Sequence, residues 1–482
     1  MARRFEGLTE DWLAVVIGLI VFALALGTLF GADLLGWSGA PKTWIEVSKA
    51  VQPASANYAS LGGFVALFLT FLFTLLLMLP AAAALGSDLR RFALSFSVVF
   101  WLAYLCWIAG NWAYIAVTTP ADLEKFGIPW SLKLTGESGY LISLLLGLAI
   151  ANFLPGFANW LRDAARPELF IKTAIVILGG TLGIKAAEQI ELASSVMFRG
   201  LAAIIEAYLI YWAVVYWVAR RWFGFSREWA APLASGISIC GLSPAIATAA
   251  AIRARPIVAV MVSSLVVLFA MVELLILPFL AAAFLSHEPM VAAAWMGLAV
   301  KTDGAAVASG AITESLVLAK AAAAGTVYEK GWMLGTTTTV KIFIDIFIGV
   351  WAFLLAYIWT RSIEPRKKGD PLRGAEIWER FPKFVLGFVA TFLIVFMIAL
   401  SFEALVKPLG AAMNEANVFR QLFFVFTFFT IGLLADLRKL WEEGIGKLAA
   451  VYVVCLFGFV IWVGLAISFI FFNGVRPPLV SG

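Results

Sequence analysis

Charge is scarce in this chain. Asp, Glu, Lys and Arg make up 13% of its 482 residues, against about 25% in a soluble domain. Hydrophobic residues make up 62%, so nearly the whole chain belongs in a bilayer, where only helices or closed barrels satisfy the backbone. Cysteine is almost absent. Cys106, Cys240 and Cys455 each fall in an apolar segment and form no C-x-x-C pair, which points to neither a disulfide framework nor a zinc site. The single histidine, His287, stands beside Glu288 and Pro289 in an expected loop, so no histidine relay crosses the membrane. No Walker A, H-E-x-x-H or G-x-S-x-G motif occurs, which excludes ATP-driven transport by this chain and argues against an enzyme. No cofactor is implied. The net charge of +5 comes without a basic, aromatic surface module, so nucleic acid is not a partner.

What is present is a series of long apolar runs. A window of about 19 residues finds about thirteen spans, near 12–31, 62–80, 92–117, 139–155, 169–185, 198–219, 229–252, 256–285, 290–312, 331–359, 383–405, 419–437 and 448–472. The run Trp12–Gly31 is too long for a signal h-region and has no A-x-A site near its end, so it reads as a retained first helix. With the N-terminus in the cytoplasm, about 19 basic residues fall inside and about 13 outside. The loop Arg361–Lys383, with Arg366, Lys367 and Lys368, carries much of that bias. The expected location is the cytoplasmic (inner) membrane. Spans four to eight and nine to thirteen form two groups of five, and an odd number per group inverts the second group, as in inverted-repeat transporters. The expected division is 1–138 as about three peripheral helices, 139–285 as the first repeat and 286–482 as the second. The aromatic faces of the first three spans, such as Phe96–Tyr114, suit lipid or a second copy of the chain in a homodimer.

The segment Ser235–Ala251, SGISICGLSPAIATAAA, is apolar enough to be buried yet contains Gly236, Ser238, Gly241, Ser243 and Pro244. Glycine and proline break the helical ladder, and in hydrocarbon a broken ladder survives only where protein or a wet cavity satisfies it. Half-helices meeting near mid-membrane form solute sites in transporters. Half-helix N-termini suit an anion, and Ser238, Ser243 and Thr248 add hydroxyls. A kinked packing helix is the structural alternative.

Ionisable groups inside spans cost about 2.5–3.5 kcal/mol each on insertion scales, so each needs a reason. Lys172 lies near a span end and can snorkel. Glu206 and Glu273 are lone acids, either hydrogen-bonded core residues or coupling carboxylates. Lys341 and Asp345 share a helical face at i,i+4 spacing, one turn after Thr336–Thr339. That stripe reads as a wetted lining or as a structural ion pair with threonines bonded back to their helix. Lys301-Thr302-Asp303-Gly304 interrupts span nine, and unwinding at Gly304 would bring both charged side chains to one cavity. The alternative is a span that ends at Val300. Gly179 and Gly183 form a G-x-x-x-G, which marks close helix packing more often than ligand contact.

The motif SGISICGLSPAIATAAA resembles the S-I-C-G-x-S/A signature of the sulfate exporter family, the uncharacterised YeiH-like membrane proteins. Supporting matches are LGLAIANFLPGF at Leu146–Phe157, AIVILGGTLGIKAAEQI at Ala174–Ile190, VKI at Val340–Ile342 and IGLLADLRKL at Ile431–Leu440. The resemblance implies an inverted-repeat core with crossed, broken helices, distantly akin to bile-acid and sodium/proton antiporter folds. Two departures fall at the site. Lys301-Thr302-Asp303-Gly304 stands where the family has a His-Asp pair and then T-A-Q-V, and Ile344 and Asp345 stand where an arginine follows V-K. The family's solute is therefore not carried over.

These readings converge on an all-α polytopic membrane protein acting as a secondary transporter of a small anion, such as a sulfur oxyanion or an organic acid. The expected solute site is Ser238, Ile239, Cys240, Gly241, Ser243, Lys301, Thr338 and Lys341. The expected coupling groups for H+ or Na+ are Asp303, Asp345, Glu206 and Glu273. A cation/proton antiporter and an anion channel are the alternatives.

Overall fold

The computed structural model describes residues 9–117, 120–132, 136, 138–188, 190–252, 254–359, 363, 382–435 and 446–480. The basic stretch at 364–381, with Arg366, Lys367 and Lys368, lies outside the described residues. The longer helices in chain order are α1 (Glu10–Ala25), α2 (Gly62–Ala84), α3 (Leu89–Gly110), α4 (Ser138–Phe153) and α5 (Pro167–Glu188). The long helix α6 (Ile190–Arg221) follows. Next come α7 (Arg227–Ser238), α8 (Leu242–Ala251), α9 (Pro256–Phe284), α10 (Pro289–Ala299), α11 (Asp303–Ala323), α12 (Trp332–Ile346) and α13 (Ile348–Ile358). The chain closes with α14 (Phe384–Ser401), α15 (Val406–Leu434), α16 (Gly446–Cys455) and α17 (Ile461–Phe472). Among the described residues, 10 helices are long and apolar enough to cross a membrane. The chain is an all-α, multi-pass membrane protein, and each expected span is helical. The spans at 229–252 and 290–312 are each split in two.

The chain folds as two compact units built from interleaved stretches. Unit 1 comprises Met1–Ala193, Leu318–Val327 and Lys383–Asp436; unit 2 comprises Ser194–Val317, Tyr328–Pro382 and Leu437–Gly482. In unit 1, α5 packs against α14, α1 and α15, and α15 packs along α4. The G-x-x-x-G of α5 is a packing device. A Cβ at Gly183 would lie 2.5 Å from the Phe392 carbonyl oxygen of α14, and one at Gly179 would collide with Thr391 and Phe388. Thr391 closes the same contact by donating its hydroxyl to the Val176 carbonyl at 2.7 Å.

Two expectations change in this unit. Lys172 does not end in open water. It is buried and ion-paired with Asp11 at 2.8 Å and Glu168 at 3.3 Å, and Asp11 also accepts from the Lys383 backbone N–H at 3.0 Å. The aromatic face of α3 is core: Phe92, Phe96, Phe100 and Tyr104 are buried, and Phe96 packs on Phe170 and Phe426 with centroids 6.4 and 5.5 Å apart. Before α2, the chain forms a small antiparallel hairpin, β1 (Gly39–Pro41) and β2 (Val51–Pro53). It is held to the helices by Tyr104, whose hydroxyl donates to the Gly39 carbonyl at 2.7 Å, and by Thr70, whose hydroxyl accepts the Gly39 N–H at 2.8 Å. Outside the helices, Asp88 caps α3 by accepting from the Arg91 N–H at 3.0 Å, which holds its carboxyl below the usual carboxylate range.

Packing at Gly183 is directly testable. Gly183→Leu forces an overpacked contact, expected to cost about 1–3 kcal/mol or more, and so lowers the thermal midpoint of the solubilised protein. Gly410→Ala, in α15 with nothing near its added Cβ, is expected to hold or raise the midpoint, by up to about 1 kcal/mol of stability. Equal melting of the parent and Gly183→Leu would contradict the close approach.

Candidate functional site

Unit 2 contains both broken spans. Helix α7 ends at Ser238, and Ile239 leaves the helical region at φ −100 and ψ −103. Gly241 then takes a left-handed φ of 79, a conformation that costs other residues a Cβ clash. Pro244 falls in the first turn of α8, where its missing N–H has no intrahelical partner to lose. Ser235 ties the halves together: its Oγ accepts from Thr248 of α8 at 2.7 Å and from the Trp212 indole N–H of α6 at 2.9 Å. In the second span, α10 ends at Ala299, Val300 is extended at φ −79 and ψ 128, and α11 starts at Asp303. Gly304 is therefore inside the first turn of α11, and the break precedes it. Thr302 caps α11 by accepting the Ala305 N–H at 3.1 Å. Glu273 of α9 accepts the Lys301 N–H at 2.9 Å.

The two breaks touch. A Cβ on Gly241 would sit 2.5 Å from the Lys301 carbonyl oxygen, so glycine is required there by space as well as by φ. Between the breaks lies the ammonium of Lys341, from α12. It donates to the Ile239 and Val300 carbonyls, each at 3.1 Å. These residues are the C-caps of α7 and α10. Helix C-termini present unpaired carbonyls and a partial negative charge, and one cation here serves two of them. Lys341 is 1% exposed.

Beyond that ammonium, three polar atoms converge. The Cys240 sulfur and carboxylate oxygens of Asp303 and Asp345 lie within 4.8 Å of one another, all buried. They come from the first break, the first turn of α11 and the turn of α12 that follows Lys341. Among the described residues the Asp345 carboxyl has no hydrogen-bond partner outside Cys240 and Asp303, and the Ser238 hydroxyl has none. The threonine stripe is mostly bonded to backbone: Thr336 and Thr338 donate back along α12 to Trp332 and Leu334 at 2.9 and 2.8 Å, and Thr337 donates to Ala293 of α10 at 2.7 Å.

Lys301 and Asp303 part company at the break. The Lys301 ammonium turns to the Leu298 carbonyl and the face of Tyr211, 4.4 Å from the ring centroid, with Glu206 beside that tyrosine. The Tyr211 hydroxyl donates to the Val460 carbonyl at 2.8 Å. Both ends of this contact are π-helical, at Glu206–Tyr211 and Leu456–Val460, a local widening frequent at functional sites. The structure thus brings Ile239, Cys240, Gly241, Asp303, Lys341 and Asp345 together. Glu206 and the Lys301 ammonium lie in a second cluster, and Thr338 is a turn away along α12. The Ser243 side chain lies outside the described residues. Sequence reasoning missed Glu314 of α11, which caps α12 by accepting the Gly331 and Met333 N–H groups at 2.6 and 3.1 Å. A glycine cap with no side chain, Gly331, was the one signal that some other residue must do this.

Fold and site together define a polytopic membrane protein with a buried, charged crossing of two broken helices. The chain belongs to the family described as Conserved hypothetical protein 698, whose profile matches residues 131–451 and so includes the whole crossing. A UPF0324 membrane protein of Nitrosomonas europaea is 41% identical over 477 residues, 98% of this chain and 97% of the relative. A UPF0324 membrane protein of Rhodopirellula baltica is 29% identical over 405 residues, 82% of this chain and 66% of the relative. An uncharacterized protein of Archaeoglobus fulgidus is 48% identical over 167 residues, 30% of this chain and 89% of the relative. No solved structure matches the chain.

Glu314→Ala strands buried N–H groups at the start of α12, at about 1–3 kcal/mol. The expected result is a lower thermal midpoint, largely restored in Glu314→Gln, which keeps an acceptor oxygen. An Ala variant that melts with the parent would show that α12 does not depend on this cap.

Proposed function

We propose that this chain is a proton-coupled secondary transporter, not an enzyme, and that it moves a small anion across the cytoplasmic membrane by alternating access through the crossing in unit 2. The observation that carries the reading is the pair of broken helices with Lys341 bonded to both C-terminal carbonyls and with Asp303 and Asp345 gathered around Cys240 at the same break. A continuous helix would satisfy its backbone more cheaply, so two interruptions meeting at one cation indicate a selected arrangement. The unpartnered Ser238 hydroxyl at the break and the third proton of the Lys341 ammonium are the anion donors. Asp303 and Asp345 take the coupling proton. A sulfur oxyanion, small and rich in acceptor oxygens for these donors, is the first solute to try.

One observation favours a second reading. Asp303 already occupies the positive end of α11, and Asp345 faces it. Two carboxylates and a lysine engaged with carbonyls also fit a cation/proton antiporter.

Flux in proteoliposomes separates the two. The anion reading expects sulfate, sulfite or thiosulfate flux to be driven by an imposed proton gradient, with a rate that varies between about pH 5 and 8, the range in which buried carboxyls titrate. Asp303→Asn and Asp345→Asn are each expected to flatten that profile. Proton movement driven by Na+ and indifferent to anions would establish the antiporter instead. A flat profile in the parent would remove the carboxylates from coupling.

A further inference from the structure

We propose that Cys240, Asp303 and Asp345 together bind a borderline divalent metal ion of the Zn2+ and Co2+ class. The inference rests on the second reading's view of these acids as a cation site, with the metal and the coupling proton competing for the same carboxylates.

Three separate pieces of chain supply the ligands, so the cluster is a product of tertiary structure and not of local spacing. The absence of a C-x-x-C pair hides it in the sequence. Points within 4.8 Å of one another can all be reached from a centre no more than about 2.8 Å away, and metal–ligand bonds of about 2.0–2.3 Å then need only small side-chain rotations. The sulfur sets the class. Carboxylates alone suit hard cations such as Mg2+ or Ca2+, whereas a thiolate beside them selects a softer, tetrahedral ion. Three protein ligands leave a fourth position open.

The second observation is independent of proximity. Asp345 is 1% exposed, and among the described residues its oxygens have no hydrogen-bond partner outside the Cys240–Asp303 cluster itself. A buried carboxylate left in that condition is costly, and a bound ion removes the cost. Charge also balances. Two carboxylates and a thiolate carry three negative charges, and Lys341, bonded to the carbonyl next to Cys240, supplies one positive charge. A divalent ion neutralises the remainder.

The test is cobalt spectroscopy on the full-length protein in detergent, stripped with chelator. Co2+ is expected to bind one ion per chain with a sulfur-to-metal charge-transfer band, displaced by Zn2+. Cys240→Ser is expected to abolish the band, and Asp345→Asn to weaken binding at least about tenfold. The Cys106→Ala/Cys455→Ala double variant is expected to keep the band. No band in the parent overturns the proposal, as does a band that survives Cys240→Ser or disappears in the double variant. Folding of each variant is checked by its thermal midpoint, and the parent titration decides even if a variant fails to fold. Binding is read without a gradient or a solute, so failure here leaves the flux reading standing, and flat flux leaves this one standing.

Discussion

Inside a bilayer an interrupted helix must find other partners for its backbone, because no water is there to take their place. Unit 2 interrupts two helices at one level, which creates two C-terminal sets of carbonyls and two N-terminal sets of N–H groups. The ammonium of Lys341 answers the first problem for both helices at once, with 3.1 Å bonds to Ile239 and Val300. Everything else at the crossing depends on that contact. Without it two partial negative ends would face each other across a buried gap.

The remaining backbone and polar groups are distributed among side chains that no solute needs to touch. Glu273 takes the Lys301 N–H, Thr302 caps α11, Ser235 joins α7 to α8 and α6, and Glu314 starts α12. These contacts hold the breaks in place. None of these contacts uses the Asp345 carboxyl, the Cys240 thiol or the Ser238 hydroxyl. Unit 1 shows how the same chain treats charge that has a structural partner: Lys172 is buried against Asp11 and Glu168.

Much of this was legible in the residues. Glycine and proline inside an apolar span announced the break at Ser235–Ala251, and i,i+4 spacing placed Lys341 and Asp345 on one face. G-x-x-x-G in α5 read correctly as packing. The rest depended on contacts between residues far apart in the chain. The partners of Lys341 are backbone carbonyls 102 and 41 residues away, and no side-chain pattern marks a carbonyl. Span nine was expected to be interrupted at Lys301–Gly304 with the glycine helping to unwind it; the break falls at Val300–Thr302, where Glu273 and Lys341 bond the backbone, and Gly304 lies inside α11. Asp11 lies 161 residues from Lys172, so a lysine near a span end looked free to snorkel. The β hairpin before α2 has strands of 3 residues each, too short to show a period.

The central claim is that one ammonium holds two helix ends. Its most direct test is thermal unfolding of Lys341→Met beside Lys341→Arg in detergent. Methionine keeps the length and removes the donors, leaving two buried carbonyls at about 1–3 kcal/mol each, whereas arginine keeps charge and donors in a different shape. The account predicts a large fall in midpoint for the Met variant and a partial recovery for Arg. A Met variant that melts at the parent's temperature would contradict it.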